Sequence, residues 1–173
     1  MKFLNISKKI FLFLITILFV TCKKDGNAGQ NNYYVKFKLD GSLRSYSDIT
    51  QVAFINNNMI NEIGFIAQRK LSDTAYEKVL VVANSYEAIV ENRIYTDSIL
   101  RMSTREGVIN FTEPNGTIWT SITDSGKNVK IIFTKIGDKE ISGTFSGKIY
   151  NPSDILVGEQ SITEGEFTVA KPE

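Results

Sequence analysis

The chain has 173 residues, with 20 Lys and Arg against 19 Asp and Glu, one cysteine and no histidine. The missing histidine excludes a Ser-His-Asp triad, a histidine general base and any His-ligated zinc or iron site. The near-neutral charge lacks the concentrated basic face that nucleic-acid binding needs, so no nucleic-acid partner is expected.

Residues 1–21 read as a secretory signal peptide. Lys2, Lys8 and Lys9 precede an apolar run over 10–20 that is broken only by Thr16. As a helix that run spans about 17 Å, against a hydrocarbon core of about 30 Å, so it is too short for a comfortable membrane span. Phe19-Val20-Thr21-Cys22 resembles the lipobox of bacterial lipoproteins, although Thr21 stands where Gly, Ala or Ser is usual. The resemblance implies cleavage before Cys22 and lipidation of its thiol. Three acyl chains then give firm membrane attachment, since each buried CH₂ contributes about 0.8 kcal/mol. The mature chain keeps no thiol for disulfides, nucleophilic catalysis or metal binding. The leader takes three lysines with it, which leaves seventeen bases against nineteen acids, a net charge of −2.

Residues 22–32 are polar and without hydrophobic period, a flexible tether. A single domain is expected over 33–170, followed by a short tail over 171–173. Tyr34–Leu39 alternates Val35, Phe37 and Leu39 with Lys36 and Lys38, and Asp40-Gly41 signals a hairpin turn. Strands are expected over 51–56 and 62–68 around the Asn56-Asn57-Asn58 turn. The nearly continuous apolar run over 78–84 predicts a central strand covered on both faces. Residues 85–94 have helical spacing at Tyr86, Ile89, Val90 and Ile94, which predicts a short helix or an irregular crossover. Further strands are expected over 98–103, 108–112, 117–123, 129–136, 141–150 and 161–169. Gly143 and Gly147 fall on the apolar face of their strand and leave room for a bulky side chain, with Trp119 the expected occupant. The whole predicts an all-β fold, a single antiparallel β-sandwich or flattened barrel of about nine or ten strands.

The C-terminal third carries a family resemblance. Ile141-Ser142-Gly143-Thr144-Phe145 and Ile162-Thr163-Glu164-Gly165-Glu166-Phe167 resemble the closing ISGTF and I-T-x-G-x-F strands of a family of uncharacterised Bacteroidetes lipoproteins. The resemblance implies a secreted, lipid-anchored all-β domain in the cell envelope, on the outer membrane. It brings no catalytic residues with it.

Motifs for chemistry are sparse. Residues 143–148, GTFSGK, lack the spacing of a phosphate loop and alternate like a strand. Acidic turns at Asp124, Asp138, Glu140 and Asp154 lack calcium-loop spacing, so no metal or cofactor is expected. Trp119, Tyr34, Tyr46 and Tyr150 are the candidates for a sugar-binding aromatic platform, which requires Trp119 to be accessible. Asp73-Thr74-Ala75 and Asp97-Ser98-Ile99 match an Asp-Ser/Thr-aliphatic O-glycosylation pattern, which requires Thr74 and Ser98 to be exposed. Three functional readings follow. The first is a non-catalytic envelope or surface binding module with a glycan or protein partner. The second is a structural subunit of an envelope complex, and the third a carboxylate-based glycan hydrolase. The last needs two carboxyls in one cleft, and none is expected.

Overall fold

The computed structural model describes residues 33–56, 59–101, 104–122, 128–153 and 158–172. The leader, Cys22 and the tether lie outside the described residues, as do Asn57, Asn58, Asp124 and Asp154. The strands are β1 (Tyr34–Leu39), β2 (Ser42–Tyr46), β3 (Asp48–Ile55), β4 (Asn61–Lys70), β5 (Tyr76–Ser85), β6 (Ile94–Tyr95) and β7 (Ile99–Arg101). They continue with β8 (Thr104–Arg105), β9 (Gly107–Thr112), β10 (Ile118–Thr120), β11 (Lys130–Ile136), β12 (Glu140–Tyr150) and β13 (Glu159–Ala170).

The main sheet is antiparallel, in the order β2-β1-β13-β12-β10-β9-β5-β4-β3, with β11 bonded to β12 and β6 to β11. Its two ends meet through the chain itself. β2 pairs with β1 and β3 pairs with β4, yet Ser47 alone separates β2 from β3. One bent strand therefore links both ends of the sheet, as in a flattened barrel. Apart from the β7–β8 hairpin and the β6–β11 pairing, it is a meander, and β13 returns to β1.

Alternation places the core. Val35, Phe37 and Leu39 of β1, Ile63, Phe65 and Ala67 of β4, and Ile109 and Phe111 of β9 all point inward and are buried. Opposite walls touch through aromatics: Phe65 lies 4.7 Å from Phe167, and Phe37 lies 6.2 Å from Phe111 edge-on. The Asp40-Gly41 turn has positive φ at both residues (46° and 80°), as a tight two-residue hairpin demands.

Two expectations need correction, and one open alternative, helix or irregular crossover over 85–94, is decided for the crossover. The strand over 78–84 is not covered on both faces: in β5, Val79, Val81 and Ala83 are buried, while Leu80 and Val82 are only half-buried on the outer side. Its apolar run reflects an outer strip shared with Ile66 and Val108 rather than a second layer. No helix forms over 85–94; β5 ends at Ser85, and the Tyr95 hydroxyl accepts a hydrogen bond from Val90 N–H at 2.8 Å, which pins an irregular loop. Finally, Trp119 does not fill the glycine gaps. A Cβ on Gly143 would stand 2.6 Å from Phe167 Cζ, and one on Gly147 would stand 3.2 Å from Val129 Cγ2. Phe167 and Val129 are the occupants, because register sets Gly143 directly opposite Phe167 while Trp119 pairs with Phe111.

Candidate functional site

Hairpin turns after β1, β4 and β9 and the start of β13 meet at one end of the barrel. There the inward rows change character. Phe37 of β1 is opposite Arg44 of β2, Arg69 extends the buried row Ile63, Phe65, Ala67, and Glu77 precedes Val79 on the inner face of β5. Each charge thus sits in phase with a hydrophobic face, so the fold carries it inward.

Glu77 is 4% exposed. Arg44 Nε donates to its Oε1 at 3.0 Å, and Arg69 Nη2 donates to its Oε2 at 2.6 Å. Both carboxylate oxygens are therefore committed to cations, which is what a buried carboxylate requires. Tyr46, stacked on Phe37 at 5.6 Å, lies beneath the Arg69 guanidinium, whose Cζ is 5.9 Å from the ring centre. Burial foremost, then the negative charge of Glu77, pushes the Tyr46 phenol well above its ordinary value. The phenol stays near Glu77 without reaching hydrogen-bond geometry.

Above this triad opens a cavity of about 450 Å³, lined by Arg44, Arg69, Glu77, Glu113, Gln160 and Phe111 among others. Asp40 also lines it, and its Oδ1 accepts the Ser161 N–H at 2.8 Å. Two of the lining residues hold buried polar atoms without a hydrogen-bond partner, Arg69 Nε and Gln160 Oε1. A buried polar group left unpaired costs about 1–3 kcal/mol, and such groups are rare in folded proteins. Both atoms are closed to solvent, so they lie behind the cavity wall and not on its surface.

A wider concavity, about 570 Å³, lies on the outer face of β11, β12 and β13. Several of its polar groups pair with one another or with flanking lysines: Ser142 and Thr168 hydroxyls are 3.1 Å apart, Lys36 is 3.2 Å from Glu166, and Lys38 is 2.8 Å from Glu164. None of the unpartnered buried atoms lines it. The barrel mouth is the better site.

The four candidate platform aromatics do not come together. Trp119 is 4% exposed and Tyr46 is 2% exposed, both within the core, because alternation turns them inward. Tyr34 is half-buried on the wall of the outer concavity, its hydroxyl 3.4 Å from Glu166. Tyr150 is half-buried beside Glu159, and burial, followed by that carboxylate, raises its pKa. The aromatic platform is therefore withdrawn. Thr74 is exposed in the bend between β4 and β5, but Ser98 is half-buried with its hydroxyl 2.7 Å from Thr96 Oγ1. Exposure at both glycosylation positions is not met. Three carboxylates, Asp40, Glu77 and Glu113, line one cavity, closer company than the sequence led one to expect.

Arg44, Arg69 and Glu77 were missed by motif reading, since no short motif contains them. The available signal was phase: Glu77 and Arg69 are charges on the apolar side of alternating strands. Among the described residues, no group of three Asp or Glu is placed to hold a metal ion, and no helix is long and apolar enough to cross a membrane. No protein-family model, curated protein or solved structure matches this chain.

Proposed function

We propose that this chain is a bacterial envelope lipoprotein, held by lipidated Cys22 on the outer membrane, whose β domain binds a small polar ligand at the barrel mouth without transforming it. The observation that carries the reading is the mouth itself: a cavity of about 450 Å³ that opens onto a buried Arg44–Glu77–Arg69 triad. Its volume is in the range of small-molecule sites, and it combines an apolar floor with a few convergent polar groups. The rest of the interior is filled by aliphatic and aromatic side chains.

A non-catalytic role is favoured by how the acids are spent. Glu77, the most buried of the three acids, gives both oxygens to arginines, and Asp40 Oδ1 caps a backbone N–H, which leaves Glu113 as the one acid at the mouth with no such role. The test is purification of the full lipoprotein from native membranes, with mass spectrometry of co-purified small molecules. The reading expects a bound species that is lost in Arg69→Gln, and a Cys22→Ala protein that leaves the membrane fraction. An unchanged small-molecule complement in Arg69→Gln contradicts the site, and a Cys22→Ala protein that stays with the membrane contradicts the anchor.

A further inference from the structure

From the chemistry of the mouth we infer the class of its ligand: a short peptide or amino acid carrying both a free α-carboxylate and a free ammonium. The inference rests on the mouth being the binding site.

Charge is the first observation. Arg44, Arg69 and Glu77 together carry a surplus of one positive charge, and Asp40 and Glu113 on the same cavity carry two negative ones. Glu113 lies one residue beyond the Lys78↔Thr112 pair of β5 and β9, at the end of β5 that holds Glu77. A wall of both signs rewards a ligand of both signs; a simple anion meets Asp40 and Glu113, and a simple cation meets the arginines.

The guanidinium groups are the second observation. Arg44 and Arg69 line the cavity with side chains 27% and 37% exposed, and each gives one N–H to Glu77. A guanidinium offers five N–H donors in a planar fork that matches a carboxylate. Glu77 takes only Arg44 Nε and Arg69 Nη2, so the exposed remainder of the two forks meets a ligand carboxylate. The ammonium charge faces Glu113 and Asp40 on the same cavity. Leu39, Leu71, Phe111 and Pro114 supply apolar wall for a side chain between the two poles. The cavity holds more than one residue of such a ligand, so a dipeptide is the natural probe.

The experiment is isothermal titration of the full detergent-solubilised lipoprotein with leucyl-leucine, with N-acetyl-leucyl-leucine amide and with maltose. Leucyl-leucine is expected to bind, and the capped dipeptide and maltose to bind at least about tenfold more weakly, a difference of 1.4 kcal/mol. Arg69→Gln should weaken leucyl-leucine about tenfold, and Glu113→Gln serves as the second variant should Arg69→Gln fail to fold. Thr144→Ala, remote from the mouth, should leave binding unchanged. Equal binding of the capped dipeptide, tighter binding of maltose, or no binding of leucyl-leucine overturns the zwitterion. If maltose or the capped dipeptide binds and Arg69→Gln abolishes it, the mouth reading survives that result. Leucyl-leucine binding that neither variant weakens overturns both.

Discussion

The β12–β13 hairpin and the barrel mouth are built from opposite materials. In the hairpin, Gly143 is opposite Phe167 and Phe145 is opposite Gly165, so each phenyl ring lies over the bare backbone of the neighbouring strand. The G-x-F pattern of both strands is thus one packing device used twice, and it is entirely apolar. The mouth instead buries a carboxylate and turns two guanidinium groups inward, from β2, β4 and β5. A buried ion triad contributes little or nothing to stability relative to apolar residues of the same shape. The hairpin therefore reads as what makes the domain fold, and the mouth as the place of the proposed binding.

The largest effects should come from breaking the hairpin. Phe167→Ala empties a site that touches Phe65, Phe133 and Phe145 and should cost about 4 kcal/mol by chemical denaturation. Gly143→Ala puts a methyl 2.2 Å from the Ile132 carbonyl oxygen, a backbone atom that cannot swing aside. A loss of about 3 kcal/mol is expected, visible as a lowered denaturation midpoint. A milder loss follows at the mouth. Glu77→Gln keeps the shape but removes the charge, and Arg44 and Arg69, with side chains 27% and 37% exposed, can turn toward water. A cost of about 2 kcal/mol is expected, with ligand binding lost as well; no Phe167 or Gly143 variant that still folds should lose binding selectively.

Alkaline pH offers a graded form of the same contrast. The Tyr46 phenol has a raised folded-state pKa, so it stays protonated where the unfolded phenol, near 10, ionises. Its contribution is whole below pH about 10 and declines as pH rises, by about 1.4 kcal/mol per pH unit. Tyr95 and Tyr150 are shifted in the same direction, so Tyr46→Phe should flatten the alkaline fall of the denaturation midpoint only in part. The smallest effect belongs to the exposed surface: Lys38→Met removes the 2.8 Å pair with Glu164 and should cost less than about 0.5 kcal/mol.

The all-β class, the Asp40-Gly41 turn and strands such as Tyr34–Leu39 were legible because alternation and turn chemistry are local signals. The hairpin glycines were legible as gaps, but their occupant was not. Trp119 was the wrong choice because register, which depends on the bulge near Thr163 and Glu164, decides what stands opposite a glycine. Tyr86, Ile89, Val90 and Ile94 have helical spacing, but the segment is too short to hold a helix by itself, and the irregular crossover is what forms. The mouth was least legible of all. Arg44, Arg69 and Glu77 are 25 and 8 positions apart in the chain, and only barrel closure at Ser47 brings β2 beside β4. A charge in phase with a buried row is a signal for such a site, but one that needs the strand boundaries first.

The most direct measurement is a nuclear magnetic resonance titration of the labelled full-length protein with leucyl-leucine, following the arginine Nε–Hε signals and the backbone amides together. The prediction is saturable movement of the Arg44 and Arg69 side-chain signals and of amides around Glu113 and Gln160, with Gly143, Gly165 and their neighbours unmoved. Movement centred on Thr144 and Glu166, with the two arginines still, would contradict the mouth as the binding site.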